Sequence, residues 1–212
     1  MSLENEATLK QKIIEFAPEF KGILLKAARE SNNEAELRTK IQIQIDKFAE
    51  SLNLTLRHRD EYALINGRAD SVYNRLVIEY EPPHSLKEDN SHRNNQHAIN
   101  QVKEYMQGLE RRERHKIERI AGVVIDGYYF IFVSFKDGKW YIEDPLLVDD
   151  YSVELFLKLL VSLSNERALI PENLIEDFGE NTQVSRAIMS ALYKKITGCA
   201  TERTKALFEQ WA

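Results

Sequence analysis

The chain has 212 residues, 43% of them hydrophobic, enough for one core-bearing domain of ordinary size with a helical addition. Its 29 Lys and Arg against 34 Asp and Glu leave a net charge of −5, which argues against nucleic-acid binding through overall charge alone, although cations on an acidic cluster and one basic face would escape that objection. No apolar run nears the roughly 20 residues of a bilayer span, and the charged, helical N-terminus does not read as a signal peptide. Cys199 is the single cysteine, so neither an intramolecular disulfide nor a zinc cluster is available, and the setting expected is reducing and cytoplasmic.

In chain order, residues 5–17 read as a short helix. Residues 34–52 read as a stronger one, because Leu37, Ile41, Ile45, Phe48 and Leu52 form one apolar stripe. Ser31 followed by Glu34 predicts its capping box. Three extended segments follow at 54–64, 68–73 and 76–81, joined by Asn66-Gly67 and Asn74-Arg75, which predicts antiparallel hairpins. Pro82-Pro83 ends the third. Residues 84–96 are polar and read as a mobile loop; 97–110 form a helix with Ile99, Val102, Tyr105/Met106 and Leu109 on one face. A buried strand at 119–126 turns through Asp126-Gly127 into 128–135, and Asp137-Gly138 turns that into 139–142. The rest is helical in pattern, at 151–164, 172–178, 184–197 and 202–211. Hairpins combined with a helical crossover predict an α/β (α+β) domain with a mixed sheet flanked by helices. The boundaries expected are 1–150 for that domain and 151–212 for a C-terminal helical appendage.

Glu79 and Glu81 stand two residues apart on the third strand and so share a face, beside Asp70 of the second strand if the hairpin register allows. Carboxylates at the end of a largely apolar strand repel one another and need a cation or a shared proton. On an arbitrary hairpin such acids are usually a solvated face, but here neither face is cleanly polar. Oxygen donors without nearby His or Cys suit Mg²⁺ or Mn²⁺. The one basic cluster, Arg111-Arg112-Glu113-Arg114-His115-Lys116, fits either phosphate contact or a helix C-terminus whose dipole favours cations. Lys87, His92 and Arg93 lie in the polar loop after the acids.

Gly67-Arg68-Ala69-Asp70, then Glu79-Tyr80-Glu81-Pro82, then Gln101-Val102-Lys103-Glu104-Tyr105 on the next helix resembles the PD-(D/E)XK nuclease superfamily over roughly residues 33–126. The resemblance implies a restriction-endonuclease-like fold with an αβββαβ core. It implies that Asp70 and Glu79, with the Tyr80 carbonyl, hold Mg²⁺ or Mn²⁺. It places Gln101 and Tyr105 on the family's helical Gln-x-x-x-Tyr, and Glu36 on its frequent first-helix glutamate. The family's lysine position is Glu81 here, a departure; a glutamate there would act as general base or bind a second metal. GRADSVYNRLVIEYEPP, PENLIEDFG and TKALFEQWA together look like the N-terminal nuclease region of fused restriction–modification enzymes, in which a DNA adenine methyltransferase follows on the same polypeptide.

The expectation is therefore a Mg²⁺-dependent DNA endonuclease, either a fragment or a stand-alone version of that region. Its catalytic residues would be Asp70, Glu79, Glu81, Gln101 and Glu36, and its DNA contacts Arg68, Lys87, Arg93, Arg111 and Arg112. A homodimer would provide double-strand cleavage. The rival reading is a non-cleaving DNA-binding or methyltransferase-docking module on the same fold.

Overall fold

The computed structural model describes residues 3–164, apart from 53, 55, 57, 65 and 66. They belong chiefly to a compact unit, Leu9–Glu166. The helices expected at 172–178, 184–197 and 202–211, with Cys199 and the Leu207, Phe208 and Trp211 patch, lie outside the described residues.

Helix α1 runs Leu3–Glu30. The sequence predicts a short helix over 5–17, yet the helix continues past that range through Pro18. A proline in a helix interior forfeits one hydrogen bond and costs about 3 kcal/mol. Here the apolar stripe outweighs it: Ile13 and Ala17 before the proline and Phe20, Leu24, Ala27 and Ala28 after it are all buried in one core, at about 1.5–3 kcal/mol per large side chain.

Helix α2, Glu34–Ser51, buries the expected Leu37, Ile41, Ile45 and Phe48. Its cap is not Ser31. Asn33 is the N-cap, its side-chain oxygen accepting from the Glu36 amide at 2.9 Å, and the Glu36 carboxylate reaches back to the Asn32 amide at 2.9 Å.

Strands β1 (His58–Leu64), β2 (Gly67–Tyr73) and β3 (Leu76–Tyr80) form antiparallel hairpins, with Asn74 at φ 52° turning β2 into β3. Helix α3, Arg93–Glu113, carries the chain across the sheet to β4 (Ala121–Ile125), which pairs parallel with β3. β5 (Tyr129–Lys136), β6 (Lys139–Ile142) and β7 (Leu146–Leu147) complete a seven-stranded mixed sheet among the described residues, in the order β1-β2-β3-β4-β5-β6, with β7 also on β5. The order α2-β1-β2-β3-α3-β4 is the expected helix, three strands, helix, strand.

Helix α4, Asp150–Ser164, sets Val153, Phe156, Leu157, Leu160 and Val161 into the same core as α1 and α2. The compact unit thus extends past residue 150, and the first helix assigned to an appendage belongs to the sheet's own core. The sheet's other face is covered by α3 through Ala98, Ile99, Val102, Met106 and Leu109. Contact there is close, since a Cβ on Gly122 would lie 2.0 Å from Val102 Cγ1. None of the described helices is long and apolar enough to cross a membrane.

The polar stretch after β3 is not a free loop. Buried Asn95 donates to the Lys87 and Asp89 carbonyls at 2.8 and 3.2 Å and accepts from the Lys87 amide at 3.0 Å. Buried Asp126 accepts from the amides of Leu86, Tyr128 and Tyr129 at 3.0, 2.8 and 2.7 Å. These two side chains supply the partners that backbone groups of an irregular segment require.

Candidate functional site

The β2–β3 ladder runs from Tyr73 opposite Leu76 to Ser71 opposite Ile78. One step further stand Asp70 and Glu79, and there the β2–β3 ladder ends and the two strands part. β3 continues along β4, Glu79 opposite Val124 and Tyr80 opposite Ile125, and Glu81 donates its amide to Ile125 O at 2.8 Å. β2 stays with β1. Asp70 bridges the divergence, its Oδ2 accepting from the Tyr80 amide at 2.9 Å. Val72 and Val77 pack beneath α3, so alternation puts Asp70, Glu79 and Glu81 on that same face. Asp70, Glu79 and Glu81 thus share one face of the sheet, near enough for Asp70 and Glu81 both to raise Glu79.

Glu34 of α2 joins them, and sequence reasoning missed it. The expected Glu36 does not; it is exposed, caps its helix, and is held below the usual carboxylate range by the Asn32 amide. Glu34 is half-buried and pushed up to about 7 by burial, then by Asp70 and Glu81. Glu79 is 6% exposed and pushed up to about 9 by burial, then by Asp70, Glu34 and Glu81. Its Oε2 is buried without a hydrogen-bond partner. Glu81 is half-buried and pushed up to about 7 by burial, then by Asp70 and Asp126. Asp70 is raised by burial, against the opposing pull of the Tyr80 amide and Arg38.

Arg38, one turn along α2 from Glu34, donates to Asp70 Oδ1 at 3.2 Å and lies 3.4 Å from Glu61 Oε1. From α3, Gln101 lies beside Tyr105, whose phenol is raised by burial and then by the Glu79 charge. Gln101 therefore borders the acids through Tyr105. Tyr80 contributes its amide to Asp70, while its ring is buried in the opposite core.

The expected DNA contacts are scattered. Arg93 shares a cavity of about 620 Å³ with Glu81, Ser85, His97 and Asn100. Arg68 pairs with Glu61 at 2.8 Å. Lys87 Nζ donates to the His84 carbonyl at 2.9 Å. Arg112 stacks 4.4 Å from the Tyr62 ring centre and donates to the Ala63 carbonyl, which ties it to β1. Arg111 is exposed at the end of α3.

Among the described residues no group of three or more His, Cys, Asp and Glu side chains is set to hold a metal ion as it stands. At Asp70, Oδ1 accepts from Arg38 and Oδ2 from the Tyr80 amide. The donor chemistry nonetheless fits a hard divalent cation. Four carboxyls face one another, all disfavoured as anions, and one oxygen of Glu79 is buried without a partner. Compared with known protein-family models, curated proteins and solved structures, the chain matches none of them.

Proposed function

We propose that this chain is a divalent-metal-dependent DNA endonuclease of the PD-(D/E)XK type on a restriction-endonuclease-like fold. The observation that carries the reading is the Glu79 oxygen, buried and unpaired where β2 and β3 part, within a group of carboxyls that raise one another. A structural core would not retain a buried carboxyl oxygen without a partner, among three further carboxyls, at no gain, because burying an unsatisfied polar group is costly. The element order α2-β1-β2-β3-α3-β4 and the place of Gln101 and Tyr105 support it further.

Asp70 and Glu79, with Glu34 beside them and the Tyr80 carbonyl, would hold Mg²⁺ or Mn²⁺. Such an ion, when bound, polarises a phosphodiester and makes a water a better nucleophile. Glu81, pushed up to about 7, is poised to take a proton near neutral pH, the task that suits a glutamate in the lysine position of this superfamily. Tyr105 and Gln101 fix the α3 side of the site. The cavity from Glu81 to Arg93 offers a DNA strand one cation and several amides. On this reading the site takes its positive charge from metal, and a net charge of −5 is no obstacle.

The test is cleavage of plasmid and linear DNA with Mg²⁺ or Mn²⁺. Asp70→Ala and Glu79→Ala should each lower the rate by at least about 10²-fold, with the fold retained by circular dichroism. Cleavage that survives in either variant refutes the assignment. The Arg38–Asp70 bridge favours one rival, a non-cleaving DNA-binding module. Wild-type protein that binds DNA yet never cleaves it with either ion would establish that rival. Pairing with a methyltransferase domain on the same polypeptide, and of two copies for double-strand cleavage, extends the proposal through the resemblance alone.

A further inference from the structure

Arg38 is the feature of the site that neither the motif nor the reaction accounts for. Its guanidinium side chain is 18% exposed and lies against the Asp70 carboxylate, itself 17% exposed, at 3.2 Å. Of all the charged groups facing the acids it is the cation in direct contact with Asp70, and it supplies positive charge to a cluster that has too little. The same guanidinium reaches Glu61 at 3.4 Å, and Glu61 is half-exposed.

We infer that Arg38 is a displaceable counter-cation, occupying Asp70 Oδ1 until a divalent ion takes that oxygen. The inference rests on the metal-dependent reading above and adds to it a positioning residue that sets how tightly the ion binds. Two observations make the exchange feasible. Glu61 lets the guanidinium keep a charged partner once Asp70 is released, so no buried cation is stranded. The Tyr80 amide stays on Asp70 Oδ2, which keeps the carboxylate aimed as Oδ1 changes partner. Glu34 and Arg38 stand four residues apart on α2 and so face the site together. The helix thereby carries both a candidate ligand and its competitor.

The experiment measures Mn²⁺ binding by the full chain without DNA, by isothermal titration calorimetry and by the electron paramagnetic resonance of free Mn²⁺. Arg38→Gln should bind Mn²⁺ about tenfold tighter than wild type, the order set by one charged hydrogen bond. Arg68→Gln removes the same charge nearby, where its ion-pair partner among the described residues is Glu61, and should stay within about twofold of wild type. Arg38→Lys, which keeps the charge but loses the planar fork, should fall between wild type and Arg38→Gln, and it stands in if the glutamine variant does not fold. Wild type that binds while Arg38→Gln binds equally or more weakly overturns the competition and leaves the nuclease reading intact. An Arg68→Gln gain as large as that of Arg38→Gln also overturns it, because bulk charge would then suffice. Absence of Mn²⁺ binding by wild type and variants alike removes the metal reading and the inference with it.

Discussion

Replacing Glu79 by glutamine should stabilise the protein at alkaline pH and do almost nothing in acid. Glu79 is pushed up from 4.5 to about 9, first by burial and then by Asp70, Glu34 and Glu81. A carboxyl raised in the folded state contributes stability that is fully present below its unfolded pKa and is lost as pH rises toward the folded value. Between pH 4.5 and pH 8, at about 1.4 kcal/mol per pH unit, the loss is at most about 5 kcal/mol. Neighbouring carboxyls share the proton, so the part that Glu79→Gln can recover is about 2–4 kcal/mol. Glutamine has the shape of the protonated acid and cannot ionise. For a chain of this size the gain corresponds to a melting temperature higher by about 4–16 °C at pH 8. Thermal melts by circular dichroism at pH 5 and pH 8 check it. Equal stabilisation at both pH values, or destabilisation at pH 8, would show that ionisation of Glu79 is not what strains the fold. Added Mg²⁺ should raise the melting temperature of wild type at pH 8 and raise that of Glu79→Gln less, because the ion and the substitution relieve the same repulsion.

Two further comparisons test other parts of the structure. Glu34→Gln should weaken Mn²⁺ binding and DNA cleavage, whereas Glu36→Gln, at an exposed helix cap that a glutamine can also make, should leave both unchanged. The reverse pattern would restore Glu36 to the site. Gly122→Ala should cost about 2–3 kcal/mol in urea denaturation, since its Cβ meets Val102 Cγ1 at 2.0 Å and Met106 Sδ at 3.0 Å, while Gly22→Ala, with nothing within 4 Å, should stabilise α1 by up to about 1 kcal/mol.

The parts of this protein that were legible in the sequence are those in which one periodicity decides the outcome. The α2 stripe and the i, i+2 placement of Glu79 and Glu81 need only the helix and strand repeats, and the structure contains both. What was illegible depended on a side chain acting far from its own element. No local pattern marks Asn95 or Asp126 as buried acceptors that order the segment after β3. Nor does one show that burial on both sides of Pro18 carries α1 through it. β7 is two residues long, and it becomes a strand only because β5 offers it an edge.

The α2 N-terminus shows how a small ambiguity decides the chemistry. Ser31 with Glu34, and Asn33 with Glu36, satisfy the same capping pattern, a short polar residue followed three positions later by glutamate. If Ser31 were the cap, Glu34 would be spent on the backbone and lost to the acids. The chain caps at Asn33 instead, which occupies Glu36 and frees Glu34 to meet Asp70. Arg38 then follows one turn later on the face of Glu34. A frame shift of two residues at the cap thus decides whether the Glu34 carboxyl is free to face Asp70. The signal was present in the sequence as Asn33-Glu34-Ala35-Glu36, and choosing between the two caps required knowing where β2 places Asp70.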